Sequence, residues 1–479
     1  MSYLENPKKK IEYIINLTHK YYLECDTVST HDNNNLVGLY FHEIVRYFST
    51  AVLREAIENK RGDNSNFFLD DDIRFGYRNN LPIFIFNSIS KKRRFISFFA
   101  KNPILSKRPT LFLGDVSINN YKIILMSYLK GYKVVYFDKK DKVFIDKFDL
   151  QLKILMNLVK NLCEDVNVSF NNTLSKDIND ALSIVSSDPY PKKIFKTKDV
   201  VLIGTPGKLF NRIISLNAHF FKIKVIGVLH GDESGSENLA AWRYDDRSNC
   251  SHLLGYGPLG NYLKNAEENF KSLSGRDYSY IESDSEVCRA IYNKHSEISK
   301  LSNYSDLHNQ NGLYISMQIR NVSAINTWPL FDPSDYIAWQ KHMLKSFQNV
   351  NVKTHPKQKY YVDFNNNIEK RKNLAEIVAD NDYDYYIIDG AASTAFSLIA
   401  ASNKPIIYFN IGIPSYTDIA IKTIRDRVLW IDVDMESNYD GFEQFKNSKI
   451  KNNFSNNFTE MFSLASIPTS RVSALSSIL

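Results

Sequence analysis

Short, unbroken apolar runs recur along this chain, each ending in a turn of small or polar residues, with helix-period segments between them. A run that is apolar at every position must be covered on both faces. That is the condition of a strand inside a parallel sheet with helices packed above and below. In the first half the runs are Leu81–Phe86, Thr110–Leu113, Lys133–Phe137, Val200–Ile203, Val225–Leu229 and His252–Leu254. Helical periodicity separates them at Gly38–Glu58, Asn119–Leu129 and Lys147–Leu162. Alternating strand and helix predicts a doubly wound α/β sheet.

The pattern then starts again. Strands are expected at Leu313–Met317, Val350–Lys353, Tyr385–Ile388, Ile406–Phe409 and Val428–Ile431. Helices are expected after Asp332-Pro333, an N-cap followed by a proline at the first helical position, and at Glu369–Ala379 and Ser393–Ala401. At 479 residues the chain exceeds what one core usually supports. The reading is therefore two Rossmann-like domains, 1–265 and 311–455, joined by a polar helical connection over 266–310. The Ser- and Asn-rich tail, 456–479, is expected to cross back over the first domain or to serve as a linker.

Charge and cysteine usage exclude several classes of function. A net charge of +7 is modest for this length, and the one dense basic run is Lys91-Lys92-Arg93-Arg94. That run reads as a solvated loop or as a contact with an anionic membrane surface or substrate, and no basic stripe suggests nucleic acid. Cys25, Cys163, Cys250 and Cys288 lie far apart, with neither a disulfide framework nor a zinc spacing, as expected in a reducing cytosol. The first residues have no apolar leader segment, and no window approaches a membrane span. Asp70-Asp71-Asp72 reads as a solvated loop; Gly204-Thr205-Pro206-Gly207-Lys208 lacks the spacing of a phosphate-binding P-loop; His252, His295 and His308 show no metal-ligand spacing.

In open α/β sheets ligands bind off the carboxyl ends of the strands, so the turns there are the candidate sites. Val225–Leu229 delivers His230-Gly231-Asp232-Glu233. Gly231 permits close backbone approach, and Asp232 or Glu233 can serve as general base or nucleophile, with His230 orienting the carboxylate or stabilising a leaving group. The alternative is that Asp232 caps a helix over Glu237–Trp242. In the second half Lys353-Thr354-His355-Pro356-Lys357 ends one strand, and Asp389-Gly390-Ala391-Ala392-Ser393-Thr394 ends another. Pro356 pins the first turn, and His355 with Lys353 and Lys357 can neutralise phosphate oxygens. Gly390 admits a ligand close to the main chain, and Ser393 and Thr394 open a helix whose free N–H groups suit a phosphate. The competing readings are a surface turn with solvated lysines and ordinary capping by Ser393. Gln318 and Arg320 leave the first strand of this half towards a cleft, where Arg320 serves either a ligand or an interdomain ion pair.

These motifs resemble a known group. Lys353-Thr354-His355-Pro356-Lys357, Asp389-Gly390 and Ser393-Thr394 look like the His-Pro and serine motifs of GT-B transferases that use CMP-activated ulosonic acids, the bacterial sialyltransferases and Kdo transferases. His230-Gly231-Asp232-Glu233 is similar to their acidic motif; here the glycine precedes the acids, which favours retaining β-Kdo transferases of capsule and O-antigen over sialyltransferases. Nothing before about residue 195 contributes to the likeness. The resemblance implies a GT-B architecture with an interdomain cleft, and a CMP-Kdo donor. It also implies a glycan acceptor, lipid-linked in some members, and work at the inner face of a bacterial membrane without metal or bound cofactor. His355, Ser393 and Thr394 would hold the CMP phosphate, and Asp232 would be the catalytic carboxylate. Polyol-phosphate transferases using CDP-glycerol or CDP-ribitol resemble the chain next best. UDP-sugar epimerases and a non-catalytic scaffold built on the same fold are further alternatives.

Overall fold

The computed structural model describes residues 108–113, 120–136, 149–165, parts of 169–179, 195–204, 209–229, 250–258, 278–294, 307, 309–316, 319–321, 324–325, 333–355, 362–412 apart from 365, 372 and 391–393, 416–446 and 454–479. Two parallel sheets organise them, in keeping with two Rossmann-like domains. The first holds β1 (Thr110–Leu113), β2 (Lys133–Tyr136), β3 (Val200–Ile203), β4 (Lys224–Val228), β5 (His252–Tyr256) and β6 (Ser279–Ser283) in the order β2-β1-β3-β4-β5-β6. Among its helices are α1 (Asn120–Leu129), α2 (Asp149–Asp165) and α3 (Leu209–Phe220). One face packs Val200, Leu202, Ile226, Val228 and Leu254, and the other packs Val201, Ile203, Val225 and Cys250 with Ile214 and Ala218 of α3.

α4 (Glu286–Tyr292) leads into the second sheet. Its strands are β7 (Gly312–Ile315), β10 (Val350–Lys353), β11 (Tyr385–Ile388), β12 (Ile406–Asn410) and β13 (Leu429–Asp432), in the order β10-β7-β11-β12-β13. A small antiparallel hairpin, β8 (Ile319–Asn321) with β9 (Ala324–Ile325), follows β7. Around this sheet lie α5 (Pro333–Lys345), α6 (Leu374–Asp380), α7 (Thr394–Ala400), α8 (Asp418–Arg427) and α9 (Asp440–Lys446). Every residue of β7 and of β11 is buried, as their unbroken apolar sequences require. Tyr314, Tyr385 and Ile387 face α5, while Leu313, Ile315, Tyr386 and Ile388 face α6, α7 and α8.

Three sequence expectations need correction. The supposed helical connection over 266–310 contains β6, which pairs in parallel with β5 from His252↔Ser279 to Tyr256↔Ser283, so the first sheet runs past 265 to Ser283. β6 is a partly exposed edge strand, and its Ser, Glu and Tyr residues dilute the apolar signal. The helix expected from Glu369 starts only at Leu374, where the Asn373 side chain accepts from the Ala375 N–H; Ile368 instead bridges to Val352 along β10. The tail is not a linker: it forms α10 (Asn457–Phe462) and α11 (Arg471–Ile478). Phe458 and Phe462 join the core of the second sheet, whereas Ala474 and Leu475 join that of the first. The expected Leu81–Phe86 strand and Gly38–Glu58 helix lie outside the described residues.

Candidate functional site

Strand order in the second sheet reverses between β7 and β11, and a ligand crevice forms outside the carboxyl ends of strands at such a point. The registers make that edge level. Lys353 of β10 and Ile388 of β11 both stand opposite Ile315 of β7. Two inter-strand spacings, about 10 Å in all, therefore separate the ends from which Thr354-His355 and Asp389-Gly390 emerge. Between them Ser316 is buried, its N–H donating to the Lys353 carbonyl at 3.1 Å. His355 is partly exposed, Gly390 is buried, and Thr394 is exposed at the start of α7. Segments separated by more than thirty residues in the sequence thus meet across one strand.

Beneath this edge lies the buried carboxylate of Asp389, which the sequence reading placed in the Asp389–Thr394 motif without a role of its own. The Tyr314 hydroxyl donates to Asp389 Oδ2 at 2.7 Å, the Tyr336 hydroxyl to Oδ1 at 3.0 Å, and the Trp339 indole N–H to Oδ2 at 3.4 Å. Gln340 Nε2 donates in turn to the Tyr314 hydroxyl at 2.7 Å. Burial pushes the Asp389 carboxyl up to about 6, against these bonds, which favour the ionised form. The group ties β11 to α5 immediately before Gly390. Its signal in the sequence is faint, because the partners are spread over β7 and α5.

Lys353 departs from its expected role. Its ammonium donates to the Arg371 carbonyl, and burial lowers its affinity for a proton. It braces β10 against the 366–371 segment. Beside it the Arg371 side chain and, next, the Tyr383 hydroxyl hold the Glu369 carboxyl down at about 2. A groove of about 590 Å³ opens past this cluster, lined by Asn311, Asn349, Asn351, Asn366 and Asp382. It lies at the amino ends of β7, β10 and β11, the opposite end from the edge that carries His355 and Gly390. We place the site at the carboxyl edge because ligand contacts in such sheets come from the turns that leave strands.

Arg427 supports α7 from behind. Its guanidinium is fully buried and donates to the carbonyls of Ala400, Ser402 and Lys404 at 2.9, 2.7 and 3.0 Å. A cation at the end of α7 complements the helix dipole.

Pro356, Lys357, Ser393 and Gln318 lie outside the described residues, as do His230, Asp232 and Glu233. Arg320 falls within β8 of the hairpin. Among the described residues no cluster of three or more His, Cys, Asp or Glu side chains could hold a metal ion. No described helix is long and apolar enough to cross a membrane. Compared with known protein families and with curated proteins, the sequence matches none.

Proposed function

We propose that this protein is a glycosyltransferase of GT-B architecture that moves Kdo from CMP-Kdo to a surface-polysaccharide acceptor. The observation that carries the reading is the level edge of the second sheet. There His355 and Gly390, two of the residues expected at the nucleotide phosphate beside Ser393 and Thr394, leave strands that flank β7 on either side. A partly exposed imidazole at His355 suits the single phosphate of a CMP-sugar without need of a metal. The resemblance of the His-Pro, Asp-Gly and acidic motifs to CMP-ulosonic acid transferases supplies the donor class.

In this reading Asp232 attacks the anomeric carbon. The bond from that carbon to the phosphate oxygen breaks, and its electron pair leaves with CMP. The acceptor hydroxyl then displaces Asp232 from the glycosyl ester and loses its proton to solvent, so that configuration is retained overall. The test is thermal stabilisation by CMP, CDP, UDP and ADP at saturation. A ligand at 100 times its dissociation constant adds about 2.7 kcal/mol, which a melting scan resolves. Selective stabilisation by CMP is expected. Selective stabilisation by CDP would move the assignment to polyol-phosphate transfer, and by UDP to a nucleotide-sugar enzyme of another kind.

A further inference from the structure

The tail does more than return to the first sheet: it brings a buried cation to the carboxyl edge of that sheet. Arg471, the first residue of α11, is 8% exposed. Its Nη2 donates to the Leu229 carbonyl at 2.7 Å, and its Nη1 to the Tyr256 hydroxyl. The guanidinium carbon lies 4.3 Å from the centre of the Tyr256 ring. Leu229 follows β4 and Tyr256 ends β5, and the Leu229 N–H donates to the Leu254 carbonyl at 3.0 Å. Both groups that Arg471 grips therefore stand where two adjacent strands end.

The approach to Arg471 is held tightly. Asp284, at the end of β6, accepts from the N–H groups of Ala465 at 2.7 Å and Thr469 at 2.9 Å, and from Arg289 at 2.7 Å. Ser470 bridges to Asp284 and caps α11 by accepting from the Ser473 N–H. Beyond Arg471, Lys224 donates to the Ile478 carbonyl at 2.7 Å. Burying a guanidinium is costly, and an apolar side chain would anchor α11 more cheaply. What the arginine provides is a directional, charge-assisted bond to one carbonyl.

We propose that Arg471 is a positioning residue: it fixes the main chain at Leu229, the residue that precedes His230–Glu233 in the sequence. The functional part of this inference rests on the reading above, in which Asp232 is the nucleophile. The orientation of the Leu229 peptide sets the direction in which the chain leaves β4. Displacing a reacting group by about 1 Å can cost about a hundredfold in rate.

The experiment compares wild type with Arg471→Met and Arg471→Lys by CMP affinity, CMP-Kdo transfer kinetics and amide hydrogen exchange. Arg471→Met is expected to leave the CMP dissociation constant and the donor KM within about twofold, because the nucleotide site lies on the other sheet, and to lower kcat about a hundredfold. Arg471→Lys is expected to recover part of that loss. A kcat within about threefold of wild type in Arg471→Met would overturn the proposal. If the wild-type enzyme transfers no Kdo, the functional reading fails, and exchange still decides the positioning claim. The Leu229 amide, which donates to the Leu254 carbonyl, should then exchange at least about tenfold faster in Arg471→Met while those of β12 stay unchanged. Equal exchange in both proteins would sink it. Should Arg471→Met not fold, Tyr256→Phe, which removes the hydroxyl under Nη1, should accelerate exchange at the Leu229 amide; no acceleration there counts against the proposal.

Discussion

Asp389 carries a stability signature that can be read by titration. Its carboxyl is raised from 3.8 to about 6 in the folded protein, with burial as the dominant cause. Between these values the folded chain holds a proton that the unfolded chain has released. The group's contribution is therefore fully present below about 4 and is lost as pH rises through 6. The difference amounts to roughly 3 kcal/mol, at about 1.4 kcal/mol per unit. Asp389→Asn should flatten the dependence of unfolding free energy on pH between 4 and 7, relative to wild type. A variant with the wild-type slope would show that this carboxyl does not titrate in the fold. Glu369 acts in the opposite sense: held down at about 2, it contributes stability above the ordinary carboxylate range that is lost as pH falls towards 2.

At the scale of elements, α7 depends on one side chain. Arg427 serves the carbonyls that follow α7, and burial lowers its guanidinium to about 9, so it remains charged at neutral pH. Arg427→Ala would leave those buried acceptors unmatched and should cost about 3–5 kcal/mol. The urea midpoint of unfolding reports this directly. Arg427→Lys should recover only part, since an ammonium cannot span carbonyls that a planar guanidinium reaches together. How far elements could be read from sequence follows from burial. β7 and β11 announce themselves because every residue is buried, while β6 hides because it is an edge. In α10, Phe458 and Phe462 stand four apart at helical spacing, but the polar residues around them mask it. Arg471 was beyond reach of any local pattern, since its main-chain acceptor lies 242 positions away.

Among the described residues, the chain passes between the two cores twice, once from β6 into α4 and again from α10 into α11. The passages are fastened to each other at Asp284. Gly257, just past β5, sits against this strap with φ at +63°, and a β-carbon there would lie 2.6 Å from the Met461 carbonyl oxygen. Gly257→Ala is strained both in its own backbone and against a neighbour that cannot rotate away. It should cost about 2–4 kcal/mol and, by pushing on α10, loosen the tail. Limited proteolysis within 463–470 should quicken in that variant, and an unchanged cleavage rate would argue that the contact is slack.

In the function proposed, a nucleotide phosphate sits over the carboxyl ends of β10, β7 and β11. This placement is tested most directly by the calorimetric affinity of CMP for wild type and for His355→Ala. Loss of one charge-assisted bond should weaken CMP at least about tenfold. The melting temperature of the ligand-free protein should move by no more than about two degrees, since His355 is partly exposed. Equal CMP affinity in the two proteins, or no CMP binding by wild type at all, would contradict it.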